Sequence, residues 1–319
     1  MKKILNIALP ILLGVAIIWW MYRGFDFSRV ADTLLDGMNW WWMAVSLVFG
    51  VLAQVFRGLR WMQTLRPMGE QPRVMNCVHA IFLSYASSLV VPRSGELVRC
   101  GVLTRYDGVS FTKALGTVVT ERVIDSLLIL LTVLAVFLCQ IGTFMDFFAE
   151  TGTNFTSWLH TFTVAGWIVT GVCLVVTAVF VGVLVSKMEK MKKMVAGLKA
   201  GIVSLRDVEN KWLFVAYTLA IWVSYFLHFY LAFFCFEYTA GLSVMTALVA
   251  FIIGSIAVVV PTPNGMGPWH FAVKTILVLY GVSAMDAETF VMIVWAVQTA
   301  LIPALGVYSM ICLPKYKQL

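Results

Sequence analysis

What this chain has least of is charge. Only 12% of its 319 residues are Asp, Glu, Lys or Arg, against 61% hydrophobic, and the mean hydropathy is +0.90. Soluble domains run at about 25% charged and about 45–50% apolar. A water-soluble fold is therefore excluded, and no stretch is polar enough to form a separate soluble domain. Catalytic signatures are also missing. No GxxxxGKS/T run, HExxH or GxSxG occurs, which removes the commonest NTPase, zinc-protease and serine-hydrolase readings. His79 and His228 lack a second ligand at metal spacing, and the six cysteines are scattered without a CxxC pair. The cysteines read as small apolar fillers, and neither metal nor cofactor is expected.

What is present is apolar length. A hydrocarbon core of about 30 Å needs roughly 20 apolar residues per helix. Six segments meet that need, at about 4–22, 40–62, 114–140, 161–186, 212–237 and 287–312. The first follows Lys2-Lys3 and is too long for a typical signal-peptide core, so it reads as a retained helix. Trp19-Trp20 and Trp40-Trp41-Trp42 suit interfacial belts.

Two further apolar runs end in helix-breaking residues. Residues 74–91 lead into Pro92-Arg93-Ser94-Gly95-Glu96, and residues 244–260 into Pro261-Thr262-Pro263-Asn264-Gly265-Met266-Gly267-Pro268. Broken backbone survives at membrane depth only inside protein or against a wet cavity. Each run is therefore expected to be a re-entrant helical hairpin. The fold expected is an all-α polytopic membrane protein with about six full transmembrane helices and two such hairpins.

The cations test this layout. With the N-terminus inside, all but four of the 23 Lys and Arg fall in 1–3, 57–73, 93–113, 187–211 or 315–319. The exceptions are Arg23, Arg29, Arg122 and Lys274. Cations concentrated in short loops are a topology signal, not a nucleic-acid surface, despite the net charge of +7. Both termini are expected in the cytoplasm, in a bacterial inner membrane, and no nucleic-acid partner is expected.

The layout repeats. Within one membrane domain, halves at about 40–140 and 212–312 each read helix, hairpin, helix, with opposite orientation, as in inverted-repeat transporters. The connector at about 187–211 sets Met188, Met191, Val195, Leu198, Ile202 and Leu205 on one stripe amid Lys and Arg. It reads as an interfacial helix against anionic headgroups, or as a charged cap below the bundle.

Ionisable residues near the bilayer centre cost roughly 2.5–3.5 kcal/mol on insertion scales, so each needs a partner or a purpose. One group is Arg93, Glu96 and Arg99 with Glu121, Arg122 and Asp125, the last three able to share a helical flank. Arg122 could neutralise one carboxylate while the other meets Arg93 or Arg99. The second group is Asn264, Gly265, Gly267, His270 and Lys274. Pro268 suits a first helical position, so residues 264–267, and Gly95 in the first hairpin, could offer backbone N–H groups to an anion. His270 could carry a proton. Either group could also be purely structural.

The runs Arg57-Gly58-Leu59-Arg60-Trp61, Pro92-Arg93-Ser94-Gly95-Glu96 with Arg99, and Ala114-Leu115-Gly116-Thr117-Val118-Val119 leading to Glu121-Arg122-Val123-Ile124-Asp125 resemble the lysylphosphatidylglycerol synthase transmembrane-region family. The Pro261-to-Gly267 loop resembles its second signature. That resemblance implies a flippase-like protein. With the chain ending at Leu319, it further implies a stand-alone membrane half that does not synthesise an aminoacyl lipid. The family's second loop is usually followed by Gly-x-x-Glu, whereas His270 stands there in this chain.

The function expected is translocation of a phospholipid or related anionic lipid, held by Arg93, Arg122 and Lys274. The rivals are an integral-membrane transferase using Glu96, Glu121 or Asp125 as base, and a non-catalytic accessory subunit of an envelope-lipid pathway. The partner expected is a membrane phospholipid, with a second copy of the chain or an envelope-lipid enzyme as protein partners.

Overall fold

The computed structural model describes Trp19, Val30 and residues 32–91, 94–139, 208, 210–260 and 262–313. Among these residues the chain is helical, with no strand. Expectations for 4–22, 161–186 and most of the 187–211 connector lie outside them, as do Pro92, Arg93 and Pro261.

Among the described residues, eight principal helices form two successive sets. The first comprises α1 (Trp40–Leu65), α2 (Val74–Val90), α3 (Gly95–Asp107) and α4 (Phe111–Cys139). The second comprises α5 (Lys211–Tyr230), α6 (Val244–Ala257), α7 (Pro268–Leu279) and α8 (Ala284–Cys312). Side-chain caps start several of them. Asn39 accepts from Trp41 N, Asn210 from Leu213 N, Ser243 from Thr246 N and Ser283 from Asp286 N, each satisfying a donor that the first turn leaves open.

Among the described residues, three stretches are long and apolar enough to cross a membrane: Trp40–Met68, Lys211–Cys235 and Ala284–Cys312. They correspond to three of the six expected spans. The expected 114–140 span is the 29-residue α4, which runs to the edge of the described residues and is not among those three. The expected 212–237 span is helical only to Tyr230, continues as a 3-10 turn over Leu231–Cys235 and restarts at Glu237.

Each broken segment is a helical hairpin. In the first, Gly95 opens α3 flush against α2; a Cβ there would lie 2.3 Å from the Ser84 carbonyl oxygen and 2.5 Å from Ser88 Oγ. The far ends are tied by Asp107, which accepts from Asn76 Nδ2 (2.7 Å) and from Arg73 N (3.1 Å). In the second, the turn from α6 to α7 needs positive φ at Asn264 (46°), Gly265 (71°) and Gly267 (91°). Glycine takes that region without steric cost. Pro268 then occupies the first helical position, as expected from the sequence.

The two sets interlock reciprocally. Helices α1 and α5 pack along each other, α8 packs on α2, and α4 packs on α6. The α2–α8 contact is close enough that a Cβ on Gly306 would sit 2.5 Å from that of Ala86. Small residues let helix backbones approach in this way. Separate cores back each set. Trp61, Leu65, Cys77, Ile81, Cys100 and Leu103 fill the first. An edge-to-face cluster of Phe229, Phe233, Phe236 and Phe290 centres the second.

Candidate functional site

The first set encloses a chain of ion pairs. Asp125 on α4 is held by Arg57 Nη1 at 3.1 Å and by Arg60 Nη2 at 2.9 Å, both from α1. Glu121, one turn earlier, meets Arg99 Nη1 at 2.8 Å and Arg60 Nε at 3.5 Å. Arg99 Nη2 continues to Glu96 at 2.8 Å, and the other oxygen of Glu96 takes Arg122 Nε at 2.8 Å. Four guanidinium groups thus alternate with three carboxylates, leaving one positive charge in surplus.

Burial grades along this chain. Arg57, Arg60, Arg99, Glu121 and Asp125 are buried, whereas the side chains of Arg122 and Glu96 are 47% and 31% exposed. Aromatic groups line the buried part. The Arg99 guanidinium lies 4.8 Å from the Trp61 ring, whose Nε1 donates to Thr117 Oγ1 (2.9 Å), and Arg57 lies 5.8 Å from the Tyr225 ring. Charged groups at such depth persist because each is paired.

The structure corrects the sequence reading in three ways. Glu121, Arg122 and Asp125 do not share one flank: Glu121 and Asp125 face inward, while Arg122 turns out to Glu96. The expected Arg99–carboxylate contact exists, but Asp125 is neutralised by Arg57 and Arg60. Those two had been counted among cytoplasmic loop cations, with α1 ending at 62, whereas α1 runs to Leu65 and buries both. A signal was available in the three- and four-residue spacing of Gln54, Arg57, Arg60 and Thr64, a polar stripe on an apolar helix. Arg93 lies outside the described residues.

The second group separates into different roles. Asn264 Nδ2 donates to Thr299 Oγ1 (2.7 Å), and its carbonyl accepts from Trp295 Nε1 (3.0 Å). The docking point lies one turn before Pro303, which has no N–H for the Thr299 carbonyl. The N–H groups proposed to meet an anion are engaged within the protein: Gly265 N with the Thr262 carbonyl, Met266 N with the Pro263 carbonyl, Gly267 N with His270 Nδ1, and Gly95 N with Ser88 Oγ. His270 is buried, 5.0 Å from the Trp295 ring. Lys274 makes an ion pair with Glu288 on α8, a residue the sequence reading passed over at the start of the last helix.

Between the two sets lies a cavity of about 330 Å³. Its wall draws on α1 (Gln54), α2 (Tyr85), α4 (Ile129), α5 (Trp222, Tyr225), the second hairpin (Asn264) and α8 (Gln298). The hydroxyls of Tyr85 and Tyr225 meet at 2.5 Å, and the Tyr225 ring also lies 5.8 Å from the Arg57 guanidinium. At another side, His228 Nδ1 donates to the Ser46 carbonyl (2.7 Å) and Ser46 Oγ to the His228 carbonyl (2.6 Å). Gln298 Nε2 donates to both Ser46 Oγ (3.0 Å) and the His228 carbonyl (2.7 Å). Gly50 makes room for this knot, since a Cβ there would lie 2.8 Å from His228 Cε1. Two polar atoms of lining residues are fully buried without a hydrogen-bond partner among the described residues, Gln54 Oε1 and Trp222 Nε1.

Comparison with known proteins gives one family. The family described as Lysylphosphatidylglycerol synthase TM region matches residues 7–306. Neither a curated protein nor a solved structure matches the chain.

Proposed function

The chain belongs to the lysylphosphatidylglycerol synthase TM region family, and from that premise we propose that it binds a phospholipid or related anionic lipid and moves it between leaflets. Membership makes it a multi-pass membrane protein of lipid modification or transport. The finer reading rests on geometry. The hairpin arms have 17, 13, 14 and 12 residues. At about 1.5 Å per residue none reaches the roughly 30 Å of a hydrocarbon core, so both hairpins are read as re-entrant. Their repeated order and reciprocal packing suit an inverted repeat in which one half moves against the other.

The single observation that carries the reading is the cavity, because both sets build its wall. Arg122 supplies an anion contact at the accessible end of the ion-pair chain. It lies seven residues, two turns and about 10 Å, before the cavity-lining Ile129 on one face of α4. A lipid phosphate would exchange with Glu96 for Arg122. Arg93 remains a second proposed phosphate contact; Lys274, committed to Glu288, is a weaker one. The bilayer is taken as a bacterial cytoplasmic membrane with both termini inside.

Catalysis by Glu121 or Asp125 as a base is disfavoured, since each carboxylate is held by two guanidinium groups. The test is transfer of labelled phosphatidylglycerol and phosphatidylethanolamine between leaflets of reconstituted vesicles. Transfer by the parent protein that is lost in a well-folded Arg122→Ala variant is expected. Equal transfer by that variant overturns the site, and no transfer by the parent overturns the translocase reading.

A further inference from the structure

The face of α3 turned away from Arg99 borders a second open space, a groove of about 380 Å³ that shares no lining residue with the cavity between the two sets. Val98, Gly101, Val102 and Arg105 fall at three- and four-residue spacing on that one side of the helix, while Arg99, Cys100 and Leu103 are buried on the other. Leu83 of α2 and Met310 near the end of α8 complete an apolar wall. Gly58, Gly95 and Gly306 each let another element approach closely, but a Cβ on Gly101 would meet nothing within 4 Å. Glycine in a helix interior is less favourable than alanine. Packing among the described residues gives no reason for Gly101, whereas its bare backbone deepens the groove.

One end of the groove is polar. Arg105 stands there with Tyr106, in the last turn of α3. The same end of the first set carries Arg73, whose N–H meets Asp107, and Lys113, whose Nζ donates to the Met68 carbonyl. Glu70 and Asp107 at this end are already engaged, Glu70 by Lys113 at 2.8 Å and Asp107 by Asn76 Nδ2 at 2.7 Å. Arg105 is exposed, with the Tyr106 ring 5.8 Å from its guanidinium and no carboxylate within ion-pair reach among the described residues. An Arg and a Tyr where an apolar groove meets a cationic helix end suit the headgroup level of a bilayer. Basic pockets between membrane helices at such ends take anionic headgroups.

We propose that this groove holds one anionic phospholipid as a structural lipid that ties the first hairpin to α8. An acyl chain runs along Leu83, Val98, Val102 and Met310, Gly101 gives it depth, and the phosphate pairs with Arg105. Charge complementarity selects the occupant. A wholly apolar partner leaves the guanidinium unused, and a zwitterionic head sets its ammonium group against the cationic end. The groove is separate from Arg122 and from the cavity, so the inference concerns lipid retained by the fold and does not depend on the translocase reading.

The test is thermal unfolding of the full chain in dodecyl maltoside, with dioleoyl phosphatidic acid or dioleoyl phosphatidylcholine added at equal mole fraction. The two probes share their acyl chains, so the difference between them reads the anion. Phosphatidic acid is expected to raise the Tm of the parent by at least about 3 °C more than phosphatidylcholine does. Arg105→Ala is expected to abolish that difference, and Arg122→Ala, which removes the accessible cation at the other site, to keep it. Gly101→Leu fills the groove. Without lipid it is expected to melt within about 2 °C of the parent, because its side chain enters open space, and with phosphatidic acid to show no rise. Equal shifts from the two lipids, a parent-like difference in Arg105→Ala, or its loss in Arg122→Ala overturns the proposal. So does a Gly101→Leu protein that melts far below the parent without lipid, since the groove would then already be filled by protein, whether residues 314–319 or a second copy. No reading involves transfer, so a protein that moves no lipid would sink the translocase reading and leave this one standing.

Discussion

The two hairpin sets share one order of elements and are held together by opposite chemistry. In the first, α1, α3 and α4 are fastened by buried charge: Arg57, Arg60 and Arg99 against Glu121 and Asp125. In the second, α5, α6, α7 and α8 are fastened by edge-to-face aromatics and by the Asn264 loop, and the one described ion pair, Lys274–Glu288, is partly exposed. A buried ion pair adds little net stability over an apolar replacement, but removing one partner is costly because it strands the other charge. The first set should therefore be fragile to single charge deletions and the second to shape changes. One fold tolerates both solutions because the hydrophobic cores behind them are separate.

The largest expected effect is Glu121→Ala. It strips a carboxylate from both Arg99 and Arg60 and should cost about 3–5 kcal/mol, read as early thermal unfolding in mild detergent. A parent-like melting curve would break the comparison at its root. Next come the two turns. Gly95→Ala drives a methyl to 2.3 Å from the Ser84 carbonyl oxygen, and should cost about 1–3 kcal/mol. Gly265→Ala, at φ +71° and 2.8 Å from Val258 Cγ2, should cost a similar ~1–3 kcal/mol. Parallel denaturation of the two variants measures whether the hairpins are equally tight. Lys274→Met in the second set should lower stability by no more than about 1 kcal/mol, and a loss as large as that of Glu121→Ala would erase the asymmetry. Arg122→Ala should be the mildest, within about 0–1 kcal/mol on unfolding, while abolishing lipid transfer in vesicles.

The all-helical fold, the breaks after α2 and α6 and the Pro268 helix start were legible because Pro and Gly interrupt apolar runs at fixed places, a backbone property that short-range sequence carries. The involvement of Glu96, Arg99, Glu121, Arg122 and Asp125 was legible from cost alone, since apolar runs do not keep charge idly. Which partner each would take was not. Arg57 and Arg60 read as loop cations because a helix end cannot be fixed to a residue by hydropathy. Their role depends on α1 crossing α4, a contact more than 50 residues apart in sequence. The cavity was invisible for the same reason, its wall being assembled from helices of both sets. Glu288 was missed because a carboxylate one turn into a helix, close after Asp286 and the Ser283 cap, reads as part of a solvated helix start.

The knot at Ser46, His228 and Gln298 has a consequence for how this chain can change over generations. Position 50 has no room for a methyl while an imidazole stands at 228. Alanine becomes admissible at 50 only after 228 has been exchanged for something smaller. The reverse order passes through a clash. Two positions 178 residues apart are thereby tied into a sequence of permitted steps, so a variant library that scores each alone will report Gly50 as intolerant and miss that its tolerance is conditional.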